Sequence, residues 1–371
     1  MSERVQDYVV DYSVTKLEET ARTFRRLGEA YENASEPQKS GTGISKQLFL
    51  VADVLEECMT MYVHTEDGKK DFVRELTRKC FVNGIRIKNV QHLSKKNGRN
   101  AIVFQARTVG RSCVAAKKVV PVLTEVLRSG YYPDDSNRRI INEEYHQYIF
   151  IQEDRFKLLS GVARMNKGKS HFNGDNFLIS RLECGKAIAA IADGMGSGKR
   201  AYIESRMVIE LMENCIDAGF DEKASIDLIN SAYIAGGGTG TMDMSVIDCQ
   251  SGYMHCMKLG AVSTFIRRDK WVEIIQSTTL PMGVLEQVDY DCTTKKLYDG
   301  DYIVMVSDGV LDNIPCVNKE ERMAQMIHAL TIREPSAMAE KLLEQSLAYN
   351  DMKASDDCTV LVLGLFDTYE K

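Results

Sequence analysis

The N-terminal part of the chain has apolar residues at helical spacing. Residues 13–30 (SVTKLEETARTFRRLGEA) carry them every three or four positions, with charged residues between: Leu17, Ala21, Phe24 and Leu27. This spacing predicts an amphipathic helix, and the same spacing predicts a second one over 44–62. Two short amphipathic helices cannot bury both of their faces alone. They are expected to pack on each other, on a second copy of the chain, or on the domains that follow.

The pattern changes after residue 65. Predicted helices over Asp71–Asn83 and Ala115–Leu127 alternate with a predicted strand over Ala101–Ala106. A polar stretch with glycine and proline, residues 129–145, is typical of a linker. Residues 66–147 are therefore expected to form a small α/β module.

Residues 148–371 are richer in short apolar runs, which are typical of strands. The predicted strands are Tyr148–Arg155, Asn176–Leu182, Ala187–Ala192, Met244–Asp248, Tyr253–Lys258, Thr264–Arg268, Tyr302–Ser307 and Thr359–Phe366. The predicted helices are 200–217, 222–235, 318–329 and 335–349. Strands in runs with helices inserted between them indicate α+β layering. The chain thus divides into three predicted regions: 1–65, 66–147 and 148–371.

Composition narrows the classes of function. The 371 residues have a formal net charge of −6, with 44% hydrophobic and 27% charged residues, which is ordinary for a globular protein. This balance predicts no overall attraction to nucleic acid or to anionic membranes. No apolar run is long enough for a membrane span and the N-terminus lacks a signal-peptide pattern, so we expect a cytoplasmic chain. The ten scattered cysteines form no CxxC pair and are expected to be reduced core residues, not zinc ligands.

Three acidic sites share one local design, in which a carboxylate stands at the end of an apolar strand. They are Asp193-Gly194, Asp308-Gly309 and Asp356-Asp357. If these sites converge, carboxylates about 4 Å apart repel each other by roughly 4 kcal/mol at an effective dielectric of 20. A divalent cation relieves that repulsion, and all-oxygen ligands suit Mg²⁺ or Mn²⁺. Two such ions can activate a water for attack on phosphorus.

Other interpretations of these residues exist. Any single strand followed by Asp-Gly is by default an ordinary turn. Gly196-Ser197-Gly198-Lys199 follows a strand and opens a helix, as a P-loop would, but the required first glycine is replaced by Asp193 and Arg200 follows the lysine. His255-Cys256 resembles a cysteine-phosphatase loop, but Val262 stands near the place of its arginine. Hydrolysis is therefore better assigned to a metal-activated water than to a side-chain nucleophile.

Four motifs occur in the order found in the metal-dependent type 2C (PPM) protein serine/threonine phosphatases. They are AIADGMGSGKRA (190–201), LPMG (280–283), DYIVMVSDGVLD (301–312) and DDCTVLV (356–362). Over about residues 150–368 the chain resembles this family, and more closely its branch that acts in bacterial sporulation. The preceding residues more weakly resemble the regulatory and linker region of that branch. The resemblance implies an αββα four-layer sandwich, in which two packed antiparallel sheets are flanked by helices and the metals lie between the sheets.

The resemblance also implies the ligands of two divalent cations, Mn²⁺ or Mg²⁺. Asp193 is expected to bridge both ions and Gly194 to contribute its backbone carbonyl. Asp308 and Asp356 are each expected to bind one ion. Asp356 is favoured over Asp357 because it is the first residue of the family's Asp-Asn/Asp-x-Thr/Ser pattern.

Two further elements remain open at this point. Gly174-Asp175 resembles an early Gly-Asp element of the bacterial branch, so Asp175 is expected to bind metal through water or to position substrate. A plain turn aspartate is the alternative for that residue. The glycine-rich loop 236–240 stands where the family has fewer glycines. It is either a flexible substrate flap or an unstructured connection.

The implied activity is that of an Mg²⁺- or Mn²⁺-dependent protein serine/threonine phosphatase that hydrolyses a phosphoprotein through metal-bound hydroxide. The implied substrate is a phosphorylated anti-sigma factor antagonist in a spore-forming bacterium, which places the chain in sigma factor regulation. The branch carries membrane spans that this chain lacks, so the chain is either a soluble fragment of a membrane-tethered protein or a soluble variant. The alternative is a regulated scaffold with a phosphatase-like fold. Its output would be partner binding or homodimerisation through helices 13–30 and 44–62.

Overall fold

The computed structural model describes residues 17–30, 41–60, 63–64, 70–94, 99–110, 112–168, 171–182, 185–194, 196, 198–217, 220–236, 238–269, 271–285 and 290–368. The chain forms two compact units. The first comprises Met1–Arg155 with Glu183–Gly185, and the second comprises Phe156–Leu182 with Lys186–Lys371. No helix in the described part of the chain combines the length and apolarity needed to cross a membrane.

The first unit contains four α-helices among its described residues: α1 (17–30), α2 (Gly41–Thr60), α3 (Lys70–Val82) and α4 (Val120–Leu127), the last preceded by the 3₁₀ turn Ala116–Val119. Its strands are β1 (Val63–His64), β2 (Ile85–Ser94), β3 (Ala101–Thr108), β4 (Val114–Ala115), β5 (Tyr131–Pro133), β6 (Ile140–Ile141) and β7 (His146–Gln152). Five of these strands form one antiparallel sheet in the order β1-β2-β3-β7-β5, and β4 pairs with β6. The predicted α/β module is therefore present.

Helices α1 and α2 pack against each other. Arg25 of α1 donates to Asp53 at 2.7 Å and to Glu56 at 2.9 Å, both on α2. A Cβ at Gly28 would lie 2.7 Å from the ring of Phe49, so the two helices approach closely at that point. Of the three packing partners that the sequence allowed, mutual packing is the one observed in the described residues. The beginning of the first predicted helix, residues 13–16, lies outside them.

Strand β7 corrects a prediction made from the sequence. Residues 148–155 were expected to open the third region, but Tyr148 and Phe150 pair with β3 and complete the core of the first unit. The ring of Phe150 stacks on that of Phe104 with centroids 5.4 Å apart. β7 joins this sheet because its alternate residues pack in the core between the sheet and helices α3 and α4. The observed boundary therefore falls after Arg155, beyond the predicted boundary at residue 147.

The second unit is the expected αββα sandwich. Its first sheet has the order β15-β12-β11-β10-β9, and its second sheet has the order β14-β13-β16-β17-β8. The strands are β8 (Phe156–Met165), β9 (Asp175–Arg181), β10 (Lys186–Gly194), β11 (Gly240–Asp248), β12 (Tyr253–Leu259), β13 (Thr264–Arg268), β14 (Trp271–Ile275), β15 (Asp291–Lys296), β16 (Tyr302–Val306) and β17 (Cys358–Asp367). The helices are α5 (Lys199–Asp217), α6 (Glu222–Gly236), α7 (Asp308–Asp312), α8 (Lys319–Ala329) and α9 (Pro335–Leu347). All pairings within both sheets are antiparallel.

Apolar layers cover both faces of the second sheet. One layer lies between the sheets, where Ile191 and Cys256 of the first sheet meet Ile303 and Leu361 of the second. The other lies between the second sheet and helices α7 to α9. Because β10, β16 and β17 are buried on both faces, they read as continuous apolar runs, which is why the sequence predicted them so closely.

Three strands of this unit escaped prediction. β14 and β15 are short edge strands, and β15 (DCTTKK) is polar at every position but Cys292. β8 carries Gly161 in its middle, which weakens the strand signal. A Cβ at Gly161 would lie 2.2 Å from the backbone nitrogen of Ser336, so the glycine lets α9 pack directly on the strand.

The cysteines have free thiols in the described residues. Five of them are buried, as the sequence predicted: Cys80, Cys215, Cys249, Cys256 and Cys358. Three are exposed instead: Cys113, Cys292 and Cys316.

Candidate metal centre

Three strands of the second unit end at one edge of its two sheets. In the first sheet, β10 ends in Asp193-Gly194. In the second, Asp308 closely follows β16 and Asp356-Asp357 directly precedes β17. β16 and β17 are antiparallel neighbours, and the backbone nitrogen of Ser307 donates to the carbonyl of Thr359 at 3.0 Å. The end of one strand and the start of the other therefore lie side by side.

Asp175 joins this set through sheet register. It is the first residue of β9, and Asp193 is its partner in the β9–β10 pairing. Residues opposite each other in an antiparallel pair have Cβ atoms about 4.5–5.5 Å apart, so the two carboxyl groups are neighbours. Asp175 is only 1% exposed. The structure thus places it in a buried strand beside Asp193, and not in a plain turn.

Gly174 shows that the two sheets converge here. A Cβ built on this residue would lie 3.4 Å from Oδ1 of Asp193 and 3.3 Å from Oδ2 of Asp357. These two carboxylates belong to different sheets, and the missing side chain of Gly174 leaves room for both. The carbonyl of Gly174 accepts a hydrogen bond of 2.5 Å from Ser205 on α5, which fixes its position. The candidate site therefore lies between the sheets at their common edge.

The electrostatics of the edge disfavour the ionised carboxylates. Burial, and after it the charge of Asp175, raise the pKa of Asp193 to about 8. Burial also raises the pKa of Asp175 to about 7, although the hydroxyls of Ser307 and Thr359 partly oppose this. The pKa of Asp308 is raised as well, chiefly by loss of solvent. Several neighbouring acids that cannot all ionise together favour the binding of positive charge at this edge.

A divalent cation fits this donor set. Oδ2 of Asp175 is buried without a hydrogen-bond partner among the described residues, so it can accept a bond from a ligand. All the donors are oxygens, which Mg²⁺ and Mn²⁺ prefer. In the described part of the chain, no three histidine, cysteine or acidic side chains are grouped tightly enough to hold an ion as they stand.

Gly194 suits a backbone ligand because its position excludes any side chain. A Cβ there would lie 2.3 Å from the carbonyl oxygen of Ala201 on α5. Gly194 is therefore packed against the helix, which holds the end of β10 at the edge. Met195 and Ser197, within the same motif, lie outside the described residues.

The two neighbouring aspartates before β17 have different roles. Asp357 is 5% exposed, and its carboxylate accepts backbone N–H groups from Lys167 and Gly174, each at 2.7 Å. Asp356 is half exposed and pairs with the ammonium of Lys167 at 3.3 Å. Asp356 thus keeps oxygen atoms available at the edge, whereas Asp357 holds the backbone of the β8–β9 connection.

Sequence reasoning missed two residues that organise the edge, Lys167 and Ser205, and it also missed the structural role of Asp357. The doubled aspartate before β17 was visible in the sequence, but no local pattern indicates which of the two faces the backbone. Lys167 and Ser205 reach the edge only through the pairing of distant segments.

The P-loop-like segment and the segment that resembles a cysteine-phosphatase loop do not provide catalytic groups. Cys256 is 1% exposed within the layer between the sheets, and burial raises the pKa of its thiol to about 12. A protonated, buried thiol is not a nucleophile. The glycines of the P-loop-like segment, Gly196 and Gly198, have φ values of +97° and +85° and form the turn that leads into α5.

The glycine-rich loop is packed on its C-terminal side. Gly240 and Met282 form a β-bridge, in which each residue donates to the other's carbonyl at 3.3 and 2.8 Å. A Cβ at Gly283 would lie 2.1 Å from the carbonyl oxygen of Gly238. The LPMG segment therefore lies directly on residues 238–240, and this part of the loop is neither a free flap nor an unstructured connection. Gly237 lies outside the described residues.

Comparison with known proteins identifies relatives of both units. Residues 184–366 match the family described as Stage II sporulation protein E (SpoIIE). Stage II sporulation protein E of Bacillus subtilis (strain 168) is 29% identical over 286 residues, which cover 76% of this chain and 34% of that protein. The protein of the same name from Priestia megaterium is 30% identical over 253 residues, which cover 67% of this chain and 43% of that protein. The chain therefore spans less than half the length of these two relatives.

A solved structure is similar over a larger part of the chain. It contains the PP2C phosphatase domain and a fragment of the regulatory domain of the cell fate determinant SpoIIE from Bacillus subtilis. The likeness has a TM-score of 0.65 at 26% identity, and it covers 88% of this chain and 96% of that one.

Proposed function

Residues 184–366 belong to the stage II sporulation protein E family, and from this premise we propose that the chain is an Mg²⁺- or Mn²⁺-dependent protein serine/threonine phosphatase. The observation that carries the proposal is the meeting of Asp175, Asp193, Asp308 and Asp356 at one edge of two packed sheets. The raised pKa values of Asp175, Asp193 and Asp308, and the oxygen of Asp175 that has no hydrogen-bond partner among the described residues, support a cation at that edge.

Each residue of the edge has a proposed role. Asp193, Asp308 and Asp356 would hold the cations through their carboxylates, with Asp193 as the shared ligand, and Gly194 would add its backbone carbonyl. Asp175, buried next to Asp193, binds directly or through a water. When bound, divalent cations supply the charge that polarises a phosphoryl oxygen and lowers the pKa of an attacking water. The chain itself positions these ligands and leaves the edge open to a phosphorylated side chain.

The proposed substrate is a phosphoserine or phosphothreonine of an anti-sigma factor antagonist. Support comes from the sporulation role in the names of the two relatives, which cover this chain only in part. A substrate that is itself a folded protein suits an edge that lies on the outside of the sandwich, since Asp308 is exposed and Asp356 half exposed.

The direct test is Mn²⁺-dependent release of phosphate from a phosphoserine-bearing antagonist protein, with p-nitrophenyl phosphate as a second substrate. We expect Asp193→Asn and Asp308→Asn to lower kcat by at least about a hundredfold. Asp269→Asn is the matched control, since Asp269 is exposed in the β13–β14 turn. Turnover that persists in EDTA, or in Asp193→Asn, contradicts the proposal.

We also propose that α1 and α2 mediate homodimerisation. Their packing on each other leaves further charged and apolar positions on the outer surface, including Leu27, which is 44% exposed. Sedimentation of the whole chain and of a chain without residues 1–65, paired with rate measurements on both, tests this. Equal subunit number and equal rates contradict the dimer and any control of activity by it.

A further inference from the structure

Lys167 is anchored beside the candidate metal centre in a way that ordinary surface lysines are not. It lies in the connection between β8 and β9, and its backbone nitrogen donates to Oδ1 of Asp357 at 2.7 Å. The other end of the connection is held by the same carboxylate, since the nitrogen of Gly174 donates to Oδ2 at 2.7 Å. Asp357 is 5% exposed; its bond from Gly174 is buried and its bond from Lys167 is partly buried. The backbone position of Lys167 is therefore fixed relative to β17.

The anchored side chain brings a positive charge to a candidate metal ligand. Nζ of Lys167 lies 3.3 Å from Oδ1 of Asp356. The side chains of Lys167 and Asp356 are 45% and 46% exposed, so the ion pair is in contact with solvent. Among the ion pairs of the described residues, this is the one that includes a carboxylate of the edge.

A second pair of contacts keeps the connection near the edge. The amide of Asn173 donates to Asn166 at 3.0 Å, and its side-chain oxygen accepts the N–H of Asp175 at 2.9 Å. The start and end of the connection are thus joined by an asparagine as well as by Asp357. The ammonium group of Lys167 can leave Asp356 by rotating its side chain, but it cannot diffuse away from the edge.

We propose that Lys167 is a tethered competitor of the divalent cation at Asp356, and that it weakens metal binding by this chain. The inference rests on the proposed function, because it concerns the same carboxylates. An ion that binds Asp356 has to break the lysine pair and then approaches a nearby ammonium group of like charge. The pair is partly exposed, so its effect is moderate and screened by salt. Metal binding, and with it the phosphatase rate, would then require a higher cation concentration than the same carboxylates would require without the charge of Lys167.

The test measures Mn²⁺ binding to the whole chain by isothermal titration calorimetry. We expect Lys167→Gln to bind Mn²⁺ about three- to fivefold more tightly than the wild type at low salt. The gain should shrink as salt increases, because the interaction is screened. The same variant should reach half-maximal phosphatase rate at a correspondingly lower Mn²⁺ concentration.

Two control variants separate charge from position. Lys167→Arg keeps the positive charge and should bind Mn²⁺ as the wild type does. Lys341→Gln removes a charge of similar exposure from the Lys341–Glu344 pair on α9, away from the edge, and should also leave binding unchanged. Thermal unfolding of each variant without metal confirms that it is folded.

The outcomes distinguish this inference from the proposed function. Wild-type binding of Mn²⁺ with unchanged or weaker binding by Lys167→Gln overturns the inference and leaves the proposed function standing. Equal tightening by Lys341→Gln also overturns it, because the effect would then come from net charge alone. A wild-type chain that binds no Mn²⁺ overturns the proposed function together with the inference.

Discussion

Replacing Asp193 by asparagine should stabilise the metal-free protein while removing its response to metal. The pKa of the Asp193 carboxyl is raised from 3.8 to about 8 by burial and by the neighbouring acids. A carboxyl with a higher pKa in the folded chain binds more protons when folded than when unfolded. The folded state therefore loses stability as the pH rises from 3.8 towards about 8.

The size of the effect follows from this difference in pKa. Between the pKa of the unfolded chain and that of the folded chain, each pH unit lowers the free energy of unfolding by roughly 1.4 kcal/mol. At about pH 7 the loss from one such group is therefore at most about 4 kcal/mol. Asp175 and Asp308 share the same field, and the cost is distributed over the coupled set. We therefore expect Asp193→Asn to raise the free energy of unfolding by roughly 2 kcal/mol at about pH 7.5 in EDTA. At about pH 4 the native carboxyl is protonated and resembles asparagine, so the gain should nearly vanish.

Urea unfolding followed by tryptophan fluorescence measures this gain. The single tryptophan, Trp271, lies on β14, so the signal reports on the second unit. Asp269→Asn should change the unfolding midpoint at neither pH. Addition of Mn²⁺ should stabilise the wild type but not Asp193→Asn. Identical midpoints for the wild type and Asp193→Asn at both pH values would refute the electrostatic reasoning.

Three further predictions follow from the same structure. Gly194→Ala should destabilise the second unit by about 2 kcal/mol or more and weaken Mn²⁺ binding, because the new methyl group would overlap the carbonyl of Ala201. Thermal unfolding measures the first effect and calorimetric titration the second. Asp301→Asn should lower the free energy of unfolding in urea by about 3 kcal/mol, since Asp301 is 1% exposed and its carboxylate pairs with Arg268 at 2.6 Å. The same substitution should leave kcat within about twofold of the wild type, because Asp301 lies at the end of β16 opposite to the candidate metal centre. EDTA should lower the Tm of the wild type more at about pH 8 than at about pH 6, since the carboxylates repel each other more when ionised; an equal decrease at both values would contradict this.

The apolar core of the second unit stabilises the fold enough to tolerate the repulsion between the carboxylates at the edge. The apolar layers on both sides of the second sheet and the continuous strands β10, β16 and β17 supply the stability of the sandwich. Acidic residues are placed only where those strands end, so their repulsion is confined to the edge. A cation bound there would offset the repulsion locally, and the stability of the unit would then depend on metal concentration.

The sequence alone determined the features that depend on neighbouring residues. Continuous apolar runs predicted β10, β16 and β17 because strands buried on both faces are apolar throughout. The turn after β10 and the pair before β17 were visible because each depends on adjacent residues. Order and spacing of the motifs then indicated a resemblance to the family and its sandwich fold, and the structure confirms the fold.

Tertiary structure decided everything that depends on which distant segments pair. Sheet register placed Asp175 opposite Asp193, and it assigned β7 to the first unit, beyond the boundary that composition suggested. Asp357 and Lys167 could not be assigned roles from the sequence because their partners lie about 190 positions away along the chain. Such contacts depend on how strands are ordered in a sheet, and local hydrophobic patterns carry no information about that order.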